Sequence, residues 1–310
     1  MSDESIPKPR PNRRPDVEFT PVSNGLDYLL SAVEHLEGAA PPDARSLKYG
    51  VLHLQAATEV LLKARLVKEH WSLVFANPGQ ATQQAYANGD FNSCTIDQAL
   101  QRLQGIVSLD VPEDGRTAIG KLQRIRNGLT HFAHVENAHA VDAQAAKVLS
   151  FLLDFIHAHL KAEPGVAETM GHLRAHLHRI QRLVDERMKG LAAALAPLTR
   201  RTVQCPQCDQ WALVVGTPTI RCQFCLCEYG EPESACIDYL SMRTGSREPD
   251  AFVRFDNDVQ IIDRECGMKT LVKASVAESR QEPCLICFNC GELWERQDRV
   301  VYDGERNPLR

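Results

Sequence analysis

The chain has 310 residues, a formal net charge of −5 at pH 7, 44% hydrophobic and 24% charged residues. That is length enough for two domains, or for one with accessories, and a composition ordinary for a globular protein. No apolar run is long enough to span a bilayer, and the first residues, MSDESIPKPRPNRRPDVEF, lack the apolar stretch of a secretory leader. A cytoplasmic protein that does not enter membranes is the expectation. Residues 1–200 carry 22 basic and 22 acidic side chains, and residues 201–310 carry 13 and 18. Neither part is a basic polyelectrolyte, so general nucleic-acid binding by bulk charge is not supported.

Residues 1–21 hold Pro7, Pro9, Pro11, Pro15 and Pro21 beside Lys8, Arg10, Arg13 and Arg14. They read as a solvated, disordered arm. Residues 22–164 then show helical periodicity. A first helix, Leu26 to Leu36, is stopped by Gly38 and Pro41-Pro42. A long second one, Ala44 to Phe75, is stopped by Asn77-Pro78-Gly79 and carries the i,i+4 pair Glu59 and Lys63. Residues 80–94 look like a loop. Thr95 with Gln98 is a capping box that opens a third helix, to Val107. A fourth helix spans Arg116 to Phe132 and a fifth Val141 to Leu160, before Pro164-Gly165. Five helices with short links predict an up-and-down bundle.

Residues 165–200 predict one long amphipathic helix. Val166, Met170, Leu173, Leu177, Ile180, Val184, Met188, Leu191 and Leu195 recur in steps of three and four, close to a heptad seam. Roughly 30 residues at 1.5 Å each would make a rod of about 45 Å. It either lies on its own bundle or pairs with a second copy. His172 and His176 share a face but lack a third ligand, so they read as polar surface.

The fourth helix carries the residues of chemical interest. Leu122, Ile125 and Leu129 mark its buried stripe. Asn127 and His131 are four apart and share the other face, with Arg126 beside them. Arg grips phosphate with a planar fork, and His moves protons near neutral pH. An arginine, an amide and an imidazole within two turns can handle a phosphodiester.

Arg126-Asn127 followed by His131 resembles the R-N-x3-H signature of the HEPN family of prokaryotic ribonuclease-like helical domains; Arg124 with His131 fits a looser form of it. Tyr49 to Leu66, running on to Glu69-His70-Trp71, resembles the long second helix of the same family. The likeness covers residues 20 to 165. It implies a metal-independent endoribonuclease that uses the RNA 2′-hydroxyl and leaves a 2′,3′-cyclic phosphate. His131 would move the proton, Arg126 would stabilise phosphoryl charge, and Asn127 would orient His131 or bind phosphate. It also implies a homodimer with one composite cleft, an RNA substrate, an antitoxin or regulatory protein as partner, and a defence, toxin–antitoxin or stress setting. Some members of the family keep the fold without activity, so a non-catalytic module that binds RNA, a nucleotide or a protein is the alternative.

The tail differs in kind. All eleven histidines lie at or before His178, and ten of the eleven cysteines lie at or after Cys205. Cys205-Pro-Gln-Cys208, thirteen residues, then Cys222-Gln-Phe-Cys225 is a C-x2-C-x13-C-x2-C array. Each C-x2-C sets two thiolates on one side of a tight turn, and two such turns complete a tetrahedron around zinc. Residues 201–230 therefore predict a zinc ribbon, with Cys227 a nearby spare. Residues 231–310 predict a second, degenerate ribbon. Cys287-Phe-Asn-Cys290 would close it and Cys266 would open it, with Asp263 standing where a cysteine is expected. Its fourth ligand is Asp263 or Cys284, unless the site has lost its metal. The fold class predicted is mainly α: a HEPN-like bundle, then a long helix, then a small β-rich tail holding one or two structural zinc ions.

Overall fold

A computed structural model describes residues 18–38, 41–131, 135–244, 260–261, 266, 270–294 and 301–302. The chain begins with α1 (Pro21–Leu36) and α2 (Ala44–Glu69), followed by the short α3 (Gln83–Asn88) and by α4 (Ile96–Gly105). Then come α5 (Glu113–His131), α6 (Ala138–His159), α7 (Val166–Leu177) and α8 (Gln181–Leu195). Polar caps fix the starts. Thr20 Oγ1 accepts from Ser23 N, and Asp43 accepts from Arg45 N and Ser46 N. The capping box before α4 is complete: Gln98 N donates to Thr95 Oγ1, and Thr95 N to Gln98 Oε1. Each cap satisfies donors that a helix N-terminus leaves open.

The hub of the bundle is α2. Leu47, Val51, Leu54, Leu61, Leu62 and Leu66 are buried along its whole length, which is why its apolar residues do not keep to one stripe. Helices α1, α4, α5 and α6 pack around it. At Gly25 a Cβ would meet Leu61 Cγ at 2.7 Å, so α1 can lie this close to α2 only with glycine there.

Three expectations change. The second helix ends at Glu69, not Phe75, and Trp71–Val74 form a 3-10 turn. His70 Nδ1 caps that turn by accepting from Ser72 N, and Arg102 donates to the carbonyls of Leu73, Phe75 and Ala76. The region expected as a loop holds α3. The single rod expected over 165–200 is two helices, α7 and α8, broken at residues 178–180. Gly38 N donates to the Arg179 carbonyl, and His176 and Arg179 face Glu37 at 2.8 and 3.7 Å. Val166, Met170, Leu173, Leu177, Ile180 and Leu183 are all buried. Within the chain itself, then, these apolar positions are covered.

The tail begins with β1 (Thr202–Gln204), β2 (Trp211–Val214), β3 (Ile220–Cys222) and β4 (Glu228–Gly230). After α9 (Pro232–Thr244) come β5 (Gln260–Ile261), β6 (Leu271–Val276), β7 (Ser279–Cys287), β8 (Leu293–Trp294) and β9 (Val301–Tyr302). β5 and β9 pair with each other. The other strands form one antiparallel sheet of seven, ordered β4-β3-β2-β1-β6-β7-β8. The two halves expected as separate ribbons are thus joined where Val203 of β1 pairs with Val276 of β6.

Bundle and sheet share one core that runs from Val22 to Phe288. Arg187 of α8 ties them. Its Nε donates to Phe224 O at 2.6 Å and its Nη1 to Ser150 Oγ at 2.8 Å. The two terminal nitrogens grip Asp154 at 3.0 and 2.7 Å. Among the described residues no helix is long and apolar enough to cross a membrane.

Two outcomes follow. Arg187→Met leaves the buried Phe224 carbonyl without its donor, which costs about 2 kcal/mol; the thermal midpoint falls while the helical circular dichroism of the folded protein is unchanged. The second concerns His157, which accepts from Arg221 Nη1 at 3.1 Å. Burial pushes the His157 imidazole below its ordinary 6.5, against the pull of Glu228. The native state therefore favours the neutral ring, and above pH 6.5 its stability is intact. Below that the unfolded chain binds the extra proton and stability falls. Urea melts across pH should show a shallower acid loss in His157→Gln, with half-buried His53 and His159, also pushed down by desolvation, supplying the remainder.

Candidate functional site

On α5, Gly115, Ala118, Ile119, Leu122 and Ile125 face the core. Arg126 is half-buried, while Asn127 and His131 are exposed. Arg126 Nη1 donates to Asn127 Oδ1 at 3.1 Å, and Thr130 Oγ1 donates to the Arg126 carbonyl at 2.8 Å. His131 is the last residue of the helix. Residues 132–134, which end the motif stretch, lie outside the described residues. Guanidinium and amide are thus joined, with the imidazole one turn further on. Glu59 of α2 pairs with Lys63, as the i,i+4 spacing predicts.

A cavity of about 880 Å³ opens between the bundle and the sheet. Lys121, Phe151, Phe155, Asp154, Arg187 and Arg221 are on its walls. It adjoins the first half of α5, and Arg126, Asn127 and His131 are not among its lining residues.

The cysteines gather as two groups. Sγ atoms of Cys205, Cys208, Cys222 and Cys225 all lie within 4.8 Å of one another. All four residues are fully buried. Cys205 to Cys225 measures 3.9 Å and Cys208 to Cys222 3.7 Å. A tetrahedron with metal–sulphur bonds of about 2.3 Å has edges of about 3.8 Å. The donor set and its spacing therefore fit a divalent cation that accepts thiolates. Hydrogen bonds from Cys208, Cys222 and Cys225 hold Cys205 far below the ordinary thiol range. Its partners are driven up, Cys208 and Cys225 chiefly by Cys205 and Cys222 chiefly by burial. Cys227 stands outside the quartet.

Several supporting residues carry no sequence signal of their own. Tyr229 Oη lies 3.2 Å from Cys205 Sγ. Arg174 Nε donates to the Cys225 carbonyl at 3.0 Å, beside the Arg187 bond to Phe224. Such outer partners fix ligand orientation. The Cys227-Glu228-Tyr229 run that follows the second turn places Tyr229 close to it in sequence; Arg174 and Arg187 look like surface arginines until their helices are placed.

The second group is Cys266, Cys287 and Cys290. Cys266 and Cys287 Sγ are 3.8 Å apart, and Thr270 Oγ1 lies 3.2 Å from Cys287 Sγ. Asp263, expected as a ligand, lies outside the described residues. Cys284, the other candidate, is not part of the group, and its thiol donates to the Ala274 carbonyl at 3.3 Å. The pair His172 and His176 is no metal clip here: His176 Nδ1 meets Glu37 at 2.8 Å.

No family model, curated protein or solved structure matches this chain.

Cys222→Ser removes one corner of the first tetrahedron. The expected result is loss of bound metal by elemental analysis and collapse of the near-ultraviolet signal around Trp211, with the helical signal of the bundle largely kept.

Proposed function

We propose that this chain is an endoribonuclease of HEPN type, whose first cysteine quartet holds a structural zinc ion. The observation that supports it most is the Arg126 guanidinium held on the Asn127 side chain at the outer side of α5, one turn before the exposed His131. RNA carries its own nucleophile. The 2′-oxygen attacks phosphorus as its proton leaves to an imidazole. The phosphorus–5′-oxygen bond breaks, and the departing oxygen takes a proton from an imidazole. Products are a 2′,3′-cyclic phosphate and a 5′-hydroxyl. His131 serves the proton steps. Arg126 neutralises charge on the non-bridging oxygens, and Asn127 holds the Arg126 fork in place. A homodimer that sets two such helix ends together would supply two imidazoles to one cleft. Defence, toxin–antitoxin or stress response is the setting the resemblance suggests, with an antitoxin or other regulatory protein as partner.

Zinc at Cys205, Cys208, Cys222 and Cys225 does no chemistry on RNA in this reading. It supplies on the order of 10 kcal/mol of folding free energy to strands of three or four residues. A second reading, a non-catalytic module that binds RNA or a nucleotide, is favoured by the cavity, which is walled by other residues than the motif.

The test is cleavage of mixed-sequence RNA by the full chain, with end-group analysis. His131→Ala should lower the rate by about 100-fold or more, and Arg126→Ala by a comparable factor of about 100. Arg126→Lys should recover little, since lysine lacks the planar fork. Equal cleavage by wild type and both alanine variants would sink the ribonuclease reading. RNA binding without cleavage by wild type would establish the second.

A further inference from the structure

We infer that Cys266, Cys287 and Cys290 form a second site for a thiolate-binding divalent cation, and that this site exchanges its metal faster than the first. The inference extends the zinc reading of the quartet and is independent of the ribonuclease reading.

The backbone carries the argument. At the first cysteine turn Cys205 N donates to Gln210 O, and Asp209 N donates to Cys205 O. At the second, Cys222 N donates to Cys227 O, and Leu226 N to Cys222 O. The turn at Cys287 repeats both bonds, Cys287 N to Glu292 O and Gly291 N to Cys287 O. In all three the residue four places on has a positive φ: 58° at Asp209, 58° at Leu226 and 78° at Gly291. That region is strained for Asp and Leu, and more so for Leu. A turn that accepts such strain twice around one tetrahedron, and recurs at Cys287, is built to present two sulphurs. The Cys266–Cys287 separation of 3.8 Å matches the 3.7 Å of Cys208–Cys222. Topology agrees, since β6 and β7 stand to Cys287 as β2 and β3 stand to Cys222.

A second observation points to a ligand. Thr270 is fully buried, and its hydroxyl lies 3.2 Å from Cys287 Sγ. Tyr229 does the same for Cys205 at 3.2 Å. A hydroxyl donor on a buried sulphur stabilises thiolate and therefore bound metal.

Exposure separates the two sites. The quartet is fully buried, whereas Cys266 and Cys290 are half-buried. A chelator takes metal by placing its own donor on the ion before the thiolates leave; each freed thiolate then takes a proton from water. A site with solvent-facing sulphurs offers that approach directly, whereas a buried one must open first. The second site also bears on the first ribbon. Gly216 N donates to Phe288 O at 3.0 Å, and a Cβ on Gly216 would meet Gly291 Cα at 2.8 Å. Metal loss at Cys266, Cys287 and Cys290 therefore loosens the seating of β6 to β8 against the β2–β3 turn.

The experiment loads the full chain with zinc and adds excess chromophoric chelator. Two equivalents of zinc are expected, released in two resolved phases of one equivalent each. Cys290→Ser should leave one equivalent, remove the fast phase and keep the bundle's helical signal. Thr270→Val keeps all three cysteines and should still bind two equivalents, with the fast phase quickened about 10-fold. Wild type binding one equivalent, or two leaving in a single phase, overturns the inference. So does a Cys290→Ser variant with both phases intact. Absence of zinc altogether would instead overturn the reading of the quartet as well.

Discussion

Four sulphurs crowded into a dry pocket set the terms for the C-terminal half. Cys205, Cys208, Cys222 and Cys225 have no solvent exposure and lie within 4.8 Å of each other. Four thiolates there would repel one another, and four thiols would waste the burial, since thiols make weak hydrogen bonds. A divalent cation resolves both. A bound ion would also hold the second cysteine turn in its observed shape, and that shape has a consequence of its own. Its carbonyls at Phe224 and Cys225 point outward, where Arg187 and Arg174 meet them. The chain of dependence runs from sulphur geometry to turn, from turn to carbonyl direction, and from there to how the sheet sits on the helices.

On the helical side the corresponding constraint is α2, buried along its length. A helix with buried residues along its whole length needs neighbours along that length, and the chain supplies α1, α4, α5 and α6. This leaves α5 with one face committed to the hub and the other to water. Arg126, Asn127 and His131 fall on the uncommitted side. The cavity sits against the opposite half of the same helix, so one element has two chemically distinct ends.

What was legible in the sequence was local. Apolar spacing placed α1, α5 and α6, the Thr95–Gln98 box placed the start of α4, and the Cys-x2-Cys spacing alone picked out the quartet. What was hidden is set by contacts between distant residues. Apolar steps of three and four continue straight through Ile180, so nothing local marks the break between α7 and α8. The break comes from Glu37 and Gly38, over a hundred residues earlier. Where α2 ends is likewise decided by the His70 cap and by Arg102 reaching back to three carbonyls. Pairing of β1 with β6 joins segments on either side of α9, and α9 itself has little amphipathic pattern because it packs on the sheet through a few residues such as Cys236 and Tyr239. Arg187 is the sharpest case. On paper it lies between Val184 and Met188 like any solvated helix arginine, and only its partners explain why it is buried.

The charge asymmetry between the two parts then acquires a physical reading. Residues 201–310 hold the whole net charge of −5, and a divalent ion bound by the four thiolates would add a local excess of two negative charges. The helical half answers at the contact: Arg174 and Arg187 on the second cysteine turn, Lys161 on Glu228 at 2.9 Å. The two arginines act on carbonyls in partly buried surroundings, where a charge-assisted bond is worth more than on the open surface, while the Lys161–Glu228 pair is exposed. The acidity of the tail is in this way used for docking inside the molecule. It repels an RNA backbone elsewhere. If the protein handles RNA, the contact therefore belongs to the bundle, at the end of α5 where Arg126 stands, and the cysteine lobe contributes by holding that bundle's far side rather than by touching the substrate.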